Sequence, residues 1–343
     1  MLATLTFPAL GDLHAAQRRQ TVQIRSADDL RRALRAARER ALALDTSALN
    51  RMLRLDGERD HLELQAATPW CSIMGYLGER GAGLDSAVRA AGLPGSVGEA
   101  VAENAAGPDG TPMVTHVESI VVVTPDGELR RADRATNSNL FALAVGGHGL
   151  FGVIYSVTLR LDSLLRAAQR AQAPVELELV ASTSASGSCR TAEFFVPPEQ
   201  LERVLADFRV LASERRILLQ SVLVRKLQSE QETFLPWATR DWAGLTLRYV
   251  SRPTLGACVH ATEIQRLLLD TVLAQGGSFP LGATHLPTRA HYDACYPRLS
   301  AFIAEKRRYD RSERLQNSWY RRVSALLRQK AGDSTALEGQ QRT

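Results

Sequence analysis

Glycines crowd two short segments of this 343-residue chain, and side-chain-free backbone allows a flat ligand or a phosphate to approach closely. In the second segment, Gly147, Gly149 and Gly152 have the G-x-G-x-x-G spacing of a dinucleotide-binding turn. That turn binds a pyrophosphate when its third glycine opens a helix whose N–H groups face the phosphates. Here VIYSVTLRL follows, and its alternating apolar and polar residues predict a strand. A Rossmann-type NAD site is therefore not predicted.

Two interpretations of the glycine turn at 146–152 remain open. It either lets a ligand lie against bare backbone or makes a turn that needs positive φ. The first segment, GLPGSVGEAVAENAAGPDG over residues 92–110, invites the same question. Backbone N–H groups in such turns can hydrogen-bond phosphate or ring atoms without help from particular side chains.

Metal and disulfide chemistry find little support in the sequence. His285 and His291 are six residues apart, which suits no common metal-binding pair on a helix, so no metal is predicted. The cysteines are scattered without a C-x-x-C pair and are expected to be buried structural thiols. They are Cys71, Cys189, Cys258 and Cys295.

The pattern around these segments predicts two α+β domains. Residues 21–26 predict a strand, and Ser26 is expected to cap a helix that runs to about Arg40. VESIVVVTPDGELRRA predicts a hairpin. After Asp162, a connector RAAQRAQAP precedes alternating strand-rich and helix-rich pieces, which predict a second domain on an antiparallel sheet. Residues 331–343 are expected to be disordered.

Composition excludes several classes of function. The net charge of +5 is spread along the chain with no basic stripe among aromatics, so nucleic-acid binding is not expected. No stretch approaches the about 20 apolar residues that span a bilayer, so no membrane span is predicted. The N-terminal residues lack a basic region followed by an apolar one, which favours a cytoplasmic protein.

Taken in order, these segments resemble the FAD-linked oxidases of the vanillyl-alcohol oxidase and p-cresol methylhydroxylase type. The family's T-V-G-G-x-(I/L)-x-x-(N/D)-x-x-G segment is matched by SVGEAVAENAAG over residues 96–107, and its V-E-S hairpin by residues 117–127. Its N-x-x-L-F-x-x-x-x-G-G-x-G-x-x-G-(V/I)-I segment is matched over residues 137–154. The tail YPRLSAFIAEKRRYD…SERLQNSWYRR resembles that of sugar-acting members such as alditol and aldonolactone oxidases.

The resemblance implies an α+β fold with a two-subdomain FAD-binding domain of this type over residues 1–162. A substrate domain on an antiparallel sheet over 163–297, and a tail over 298–330 that returns to the first domain, would follow it. The cofactor would be non-covalent FAD. The residues implied to bind it are Ser96, Val97, Gly98, Asn104, Gly107, Gly146, Gly147, Gly149, Gly152, Val153, Ile154 and Asn317.

Three positions depart from the family pattern. The glycine-rich loop that wraps the pyrophosphate is missing near residues 41–48, since no glycine lies between Arg40 and Gly57. Glu99 stands where the family has a second glycine, and a carboxylate there would repel a flavin phosphate unless it points away. Pro280 and Ala283 replace an expected Tyr and Lys, which leaves His285 as the nearest candidate for a general base.

The expected function is oxidation of a C–OH group of a sugar-like or polyol substrate by hydride transfer to flavin N5. Two other hypotheses stay open. The chain is either a degenerate, non-catalytic homologue that acts as a partner or scaffold subunit, or a flavoenzyme whose missing loop comes from a neighbour in an oligomer. Flavin content of the purified protein, and its response to added FAD, would separate them.

Overall fold

The computed structural model describes residues 20–36, 42–178, 188–215, 217–251, 255–282 and 287–328. It begins with strand β1 (Gln20–Gln23), helix α1 (Ala27–Ala36) and strand β2 (Leu42–Asp45), which pairs in parallel with β1. Ser26 caps α1 as expected, because its Oγ accepts from the Asp29 N–H at 3.1 Å. The helix packs on a small separate core formed by Ile24, Leu30, Ala33, Leu34, Leu49 and Val123.

A five-stranded antiparallel sheet forms the centre of the first domain, which we define as residues 20–170. Its strand order is β3-β4-β7-β5-β6. The strands are β3 (Met52–Asp56), β4 (His61–Gln65), β5 (Val117–Val123), β6 (Leu129–Asp133) and β7 (Val153–Arg160). The prediction that a strand follows Gly152 is confirmed, and that strand, β7, lies between β4 and β5.

Helices surround this sheet. They are α2 (Trp70–Leu77), α3 (Leu84–Ala91), α4 (Val97–Ala102), α5 (Ser138–Ala144) and α6 (Leu161–Arg170). The connector expected at RAAQRAQAP, residues 166–174, begins inside a helix that runs as far as Arg170. The reason is an apolar stripe of Leu161, Leu164 and Ala167, whose spacing of three buries one helical face against the first domain.

The second domain, residues 175–282, is built on the predicted antiparallel sheet, with strand order β8-β10-β11-β9. Its elements are β8 (Val175–Glu178), β9 (Ser188–Val196), α7 (Leu201–Arg215), β10 (Leu218–Leu227), β11 (Trp242–Ser251) and α8 (Leu255–Ala274). Helix α8 contacts β9 and β11, and Phe208 of α7 packs on Phe194 of β9 at 5.9 Å between ring centroids. The two helices therefore cover one face of this sheet.

The tail segment, residues 287–328, packs back on the first domain. It contains α9 (Arg289–Cys295), α10 (Leu299–Tyr309) and α11, over residues 318–328. The Phe302 ring meets Phe151 edge-on at 5.0 Å, and Arg314 Nη1 donates to the Pro125 carbonyl oxygen at 2.6 Å. The tail thus contacts both the glycine turn and the β5–β6 hairpin.

Candidate functional site

A cavity of about 540 Å³ lies between the two domains. The second domain supplies alternate residues from three neighbouring strands, which share one face because side chains alternate along a strand. That face lies opposite the one covered by α7 and α8. Its cavity-lining residues are Thr191, Glu193, Phe195, Leu223, Arg225, Thr246 and Arg248. The first domain supplies the ends of α3 and α4 and the glycine turn, and residues 280–282 complete the wall.

The two glycine-rich segments lie side by side at this cavity. The N–H of Gly146 donates to the Val101 carbonyl oxygen at 3.0 Å, and the N–H of His148 donates to Ala102 at 2.9 Å. Gly146 and His148 line the cavity together with Ala105. The end of helix α4 and the turn at 146–148 therefore form one continuous backbone wall.

Most of the predicted glycines pack against protein atoms instead of facing the cavity. A Cβ on Gly98 would lie 2.6 Å from Ala66, and one on Gly107 would lie 2.9 Å from the Thr111 oxygen. A Cβ on Gly147 would lie 2.1 Å from the carbonyl oxygen of Leu143. Because these glycines have no side chain, neighbouring segments of the protein can pack directly against their backbone.

The conformation of the turn also requires glycine. Gly146 has φ of 71°, Gly149 has φ of 74° and Gly152 has φ of 152°. A side chain on Gly152 would in addition meet Val122 at 2.2 Å. The sequence left open whether the glycines serve a ligand or a turn that needs positive φ. For these three residues the positive φ itself requires glycine.

Ser96 and Glu99 form a capping box at the start of α4. The Glu99 N–H donates to Ser96 Oγ at 3.3 Å, and the Ser96 N–H donates back to Glu99 Oε2 at 3.2 Å. The Glu99 carboxylate, at a position where the resembled family has glycine, is therefore turned toward the N-terminus of α4. Val97, the next residue, is fully buried and donates its N–H to Thr68 at 3.1 Å.

Asn104 is buried at the junction of the two domains. Its Oδ1 accepts from the Val114 N–H at 2.9 Å, and its Nδ2 donates to Glu230 at 3.2 Å. The Asn104 carbonyl oxygen accepts from Trp237 Nε1 at 2.8 Å. This residue holds the β10–β11 connection of the second domain against the first.

The remaining predicted residues lie behind the cavity wall or outside the described residues. Val153 and Ile154 pair with Val123 and Val122 in the sheet. Asn317 Nδ2 donates to the His148 carbonyl oxygen at 3.0 Å, so it supports the turn from the tail. Of all the predicted cofactor residues, only Gly146 lines the cavity in the described part of the chain. His285 lies outside the described residues, as does the terminal segment 331–343.

Ionisable side chains that the sequence did not point to line the cavity. They are Arg89, Glu103, His148, Glu193, Arg225 and Arg248. Burial lowers the pKa of His148 to about 4, so its imidazole is neutral at pH 7. Burial, and then the charges of Glu99 and Glu193, raise the pKa of Glu103 to about 7. Near neutral pH His148 is therefore deprotonated and Glu103 is deprotonated in part, so both are present in the form that a general base needs.

Polar and aromatic side chains complete the wall. Phe195 and Trp237 pack in a tilted arrangement with ring centroids 4.9 Å apart, and Thr191 and Thr246 line the cavity from adjacent strands. Nothing in the local sequence marks these residues, because they come from strands separated by long stretches of chain.

The β2–β3 connection, where the resemblance implies a pyrophosphate-binding loop, is short and closed on itself. Ser47 donates its N–H to Asp45 Oδ1 at 3.0 Å, and Leu49 donates its N–H to Thr46 at 2.9 Å. The hydrogen bonds from Ser47 lower the pKa of Asp45, so a carboxylate charge sits at the turn. The negative charge at this turn is unfavourable for the phosphates of FAD.

Residues 15–133 match the family model of the FAD binding domain, which covers β1 to β6. No curated protein matches the chain. Within the described ranges, no helix is long and apolar enough to cross a membrane, and no group of three or more potential metal ligands occurs. The protein thus has a mixed α+β fold with antiparallel sheets and an FAD-binding domain, which supports FAD binding and a flavin-dependent oxidoreductase in general.

Proposed function

We propose that the protein is an FAD-dependent oxidoreductase that oxidises a C–OH group of a sugar-like or polyol substrate in this cavity. The observation that carries the proposal is the backbone wall of Gly146, His148 and Ala105, which faces ionisable side chains across the cavity. FAD, when bound, would accept a hydride at N5 and pass electrons to oxygen or another acceptor. Binding would be non-covalent, because residues 42–56 contain no histidine or cysteine.

The backbone wall would hold the flavin ring. Gly146 contributes backbone to this wall, and the Asn317 side chain supports it by donating to the His148 carbonyl oxygen at 3.0 Å. On the opposite side, Thr191, Thr246 and Glu193 offer hydrogen-bonding groups for the hydroxyls of a polyol. Phe195 and Trp237 would exclude water from part of the cavity.

His148 is the proposed proton acceptor. A hydroxyl loses its proton as the hydride leaves, and a neutral imidazole in the cavity can take that proton. The low pKa of His148 keeps the side chain neutral over the physiological range. His285 stays a prediction for the same role.

The first test is flavin content. The purified protein is expected to be yellow, and its visible flavin absorbance should survive desalting. If the protein is colourless and excess FAD leaves its melting temperature unchanged, FAD does not bind appreciably, and the proposal fails.

The second test is His148→Gln, compared with His285→Gln and with the control His61→Gln on β4, outside the cavity. His148→Gln should keep its flavin and lose about 10²–10⁴-fold in kcat, the usual contribution of a general base. The control should match the wild type. A selective loss in His285→Gln would assign the proton acceptor to that residue instead.

One observation favours the non-catalytic alternative, in which the chain acts as a partner or scaffold subunit. The N–H groups of Gly98, Gly107, Gly146 and Gly147 all donate to carbonyl oxygens of the protein itself. The glycine-rich segments can thus persist for folding alone. A colourless protein that co-purifies with a stable partner would support this alternative. A protein that retains FAD only as an oligomer would instead support a loop supplied by a neighbouring copy.

A further inference from the structure

Three arginines line the cavity, and two of them already have carboxylate partners. Arg89 Nε donates to Asp85 at 2.8 Å, and Arg248 Nη1 lies 3.6 Å from Glu176. Arg225 forms no ion pair within 4.0 Å in the described ranges. Its guanidinium makes one hydrogen bond there, from Nη1 to the Ala91 carbonyl oxygen at the end of α3.

Arg225 is partly withdrawn from water. It lies opposite Gly244 in the β10–β11 register, and a Cβ on that glycine would come within 3.5 Å of Arg225 Cγ. Burial lowers the pKa of Arg225, while the charge of Glu193 acts in the opposite direction. The cation therefore loses hydration and has N–H donors to spare, which favours a negatively charged partner.

Among the described residues, the nearby carboxylates do not contact the Arg225 guanidinium. Glu193 is exposed on β9, and the whole of β11 separates that strand from β10. Glu103 has a pKa of about 7 and so carries only part of a negative charge at neutral pH.

We propose that Arg225 binds an anionic group of the substrate, a carboxylate or a phosphate. This rests on the proposed function for the chemistry and narrows the substrate from a neutral polyol to a polyol acid or a polyol phosphate. A guanidinium presents a planar fork of donors that matches two oxygens of either group. The hydroxyls of the same ligand then face Thr191 and Thr246 on the neighbouring strands.

The test measures binding by calorimetry with three six-carbon probes: sorbitol, gluconate and sorbitol 6-phosphate. The wild type is expected to bind gluconate or sorbitol 6-phosphate about tenfold to a hundredfold more tightly than sorbitol. The better of the two anions tells carboxylate from phosphate. Because calorimetry needs no turnover, this result is separate from flavin content and oxidation, which test the proposed function.

Variants then assign the preference to Arg225. Arg225→Gln should remove it, so that the anions no longer bind more tightly than sorbitol, and Arg225→Lys should retain part of it as a point charge without the fork. Arg240→Gln is the control, because it removes an ion pair with Glu199 outside the cavity. This variant should bind the three probes like the wild type.

The proposal is overturned if both anions bind no better than sorbitol, or if Arg225→Gln keeps the anion preference. Because Arg225 also hydrogen-bonds the end of α3, thermal melting checks that Arg225→Gln keeps its fold, and the wild-type preference and Arg225→Lys decide the question if it does not. Flavin-dependent oxidation of sorbitol without anion preference would leave the proposed function standing and remove this inference alone.

Discussion

The indole Nε1 of Trp237 donates to the carbonyl oxygen of Asn104 at 2.8 Å, and this bond ties the second domain to the first. The Asn104 side chain adds hydrogen bonds to Val114 and Glu230. Its backbone has a positive φ of 47°. A residue implied by resemblance to bind the cofactor thus has its side chain engaged with protein groups.

Asn104→Ala should lower the free energy of unfolding by about 2–4 kcal/mol. The change removes two buried hydrogen bonds and places alanine at positive φ. Asn104→Gly loses the same bonds without the strain and should be about 1 kcal/mol more stable than the alanine variant. Urea unfolding measures both. Equal stability of the two variants would show that the backbone relaxes at this position.

Ser96→Ala should lower the free energy of unfolding by about 1 kcal/mol, because it removes the side-chain half of the capping box with Glu99. Chemical denaturation gives this value. Flavin content should be measured on the same sample. If it falls well beyond what the loss of stability explains, Ser96 also contacts the cofactor, as the resemblance implies.

The pH dependence of stability should report on His116. Burial lowers the pKa of this histidine from 6.5 to about 4, and its buried Nε2 has no hydrogen-bond partner among the described residues. Between these values the unfolded chain binds a proton that the folded protein rejects, so stability falls as pH decreases from about 6.5 to about 4.

His116→Gln should reduce that slope by up to about 1.4 kcal/mol per pH unit. His148 acts in the same direction, and Glu103, whose pKa is raised to about 7, acts in the opposite one. Both remain in the variant, so the difference between the two pH profiles isolates His116. An unchanged slope would mean that His116 takes up its proton over the same pH range in the folded protein as in the unfolded chain.

Gly147→Ala should destabilise the protein by more than about 3 kcal/mol or prevent its folding. The added Cβ would lie 2.1 Å from the Leu143 carbonyl oxygen, and backbone cannot move aside easily. Gly75→Ala is the matched control, because this glycine lies inside α2 with nothing within 4 Å. It should stabilise by about 0.5–1 kcal/mol. Thermal melting compares them, and a well-folded Gly147→Ala protein would contradict the described turn.

Local patterns predicted much of the fold. The alternation after Gly152 predicted β7, Ser26 predicted the start of α1, and the strand-rich second half predicted an antiparallel sheet. In each case a residue type and its immediate neighbours determine the structure. The capping box of Ser96 and Glu99 was not predicted, although its S-x-x-E spacing is present in the sequence, and it explains why a carboxylate is tolerated at this position.

The cavity wall could not be predicted in the same way. Arg225, Glu193 and Thr246 share a face only because three strands pair in one register. Glu103 looks like an ordinary charged helix-end residue until burial and Glu193 raise its pKa. Such properties depend on contacts between distant parts of the chain, which periodicity and spacing do not encode.

The β10–β11 connection is hydrogen-bonded to the first domain at several points. Gln228 donates to the Gly110 carbonyl oxygen at 2.9 Å and Phe234 to that of Ala142 at 2.8 Å, beside the bond between Trp237 and Asn104. Swinging the domains apart would break all three bonds at once. The width of the cavity between the domains is thus set by contacts within the protein before any molecule enters it.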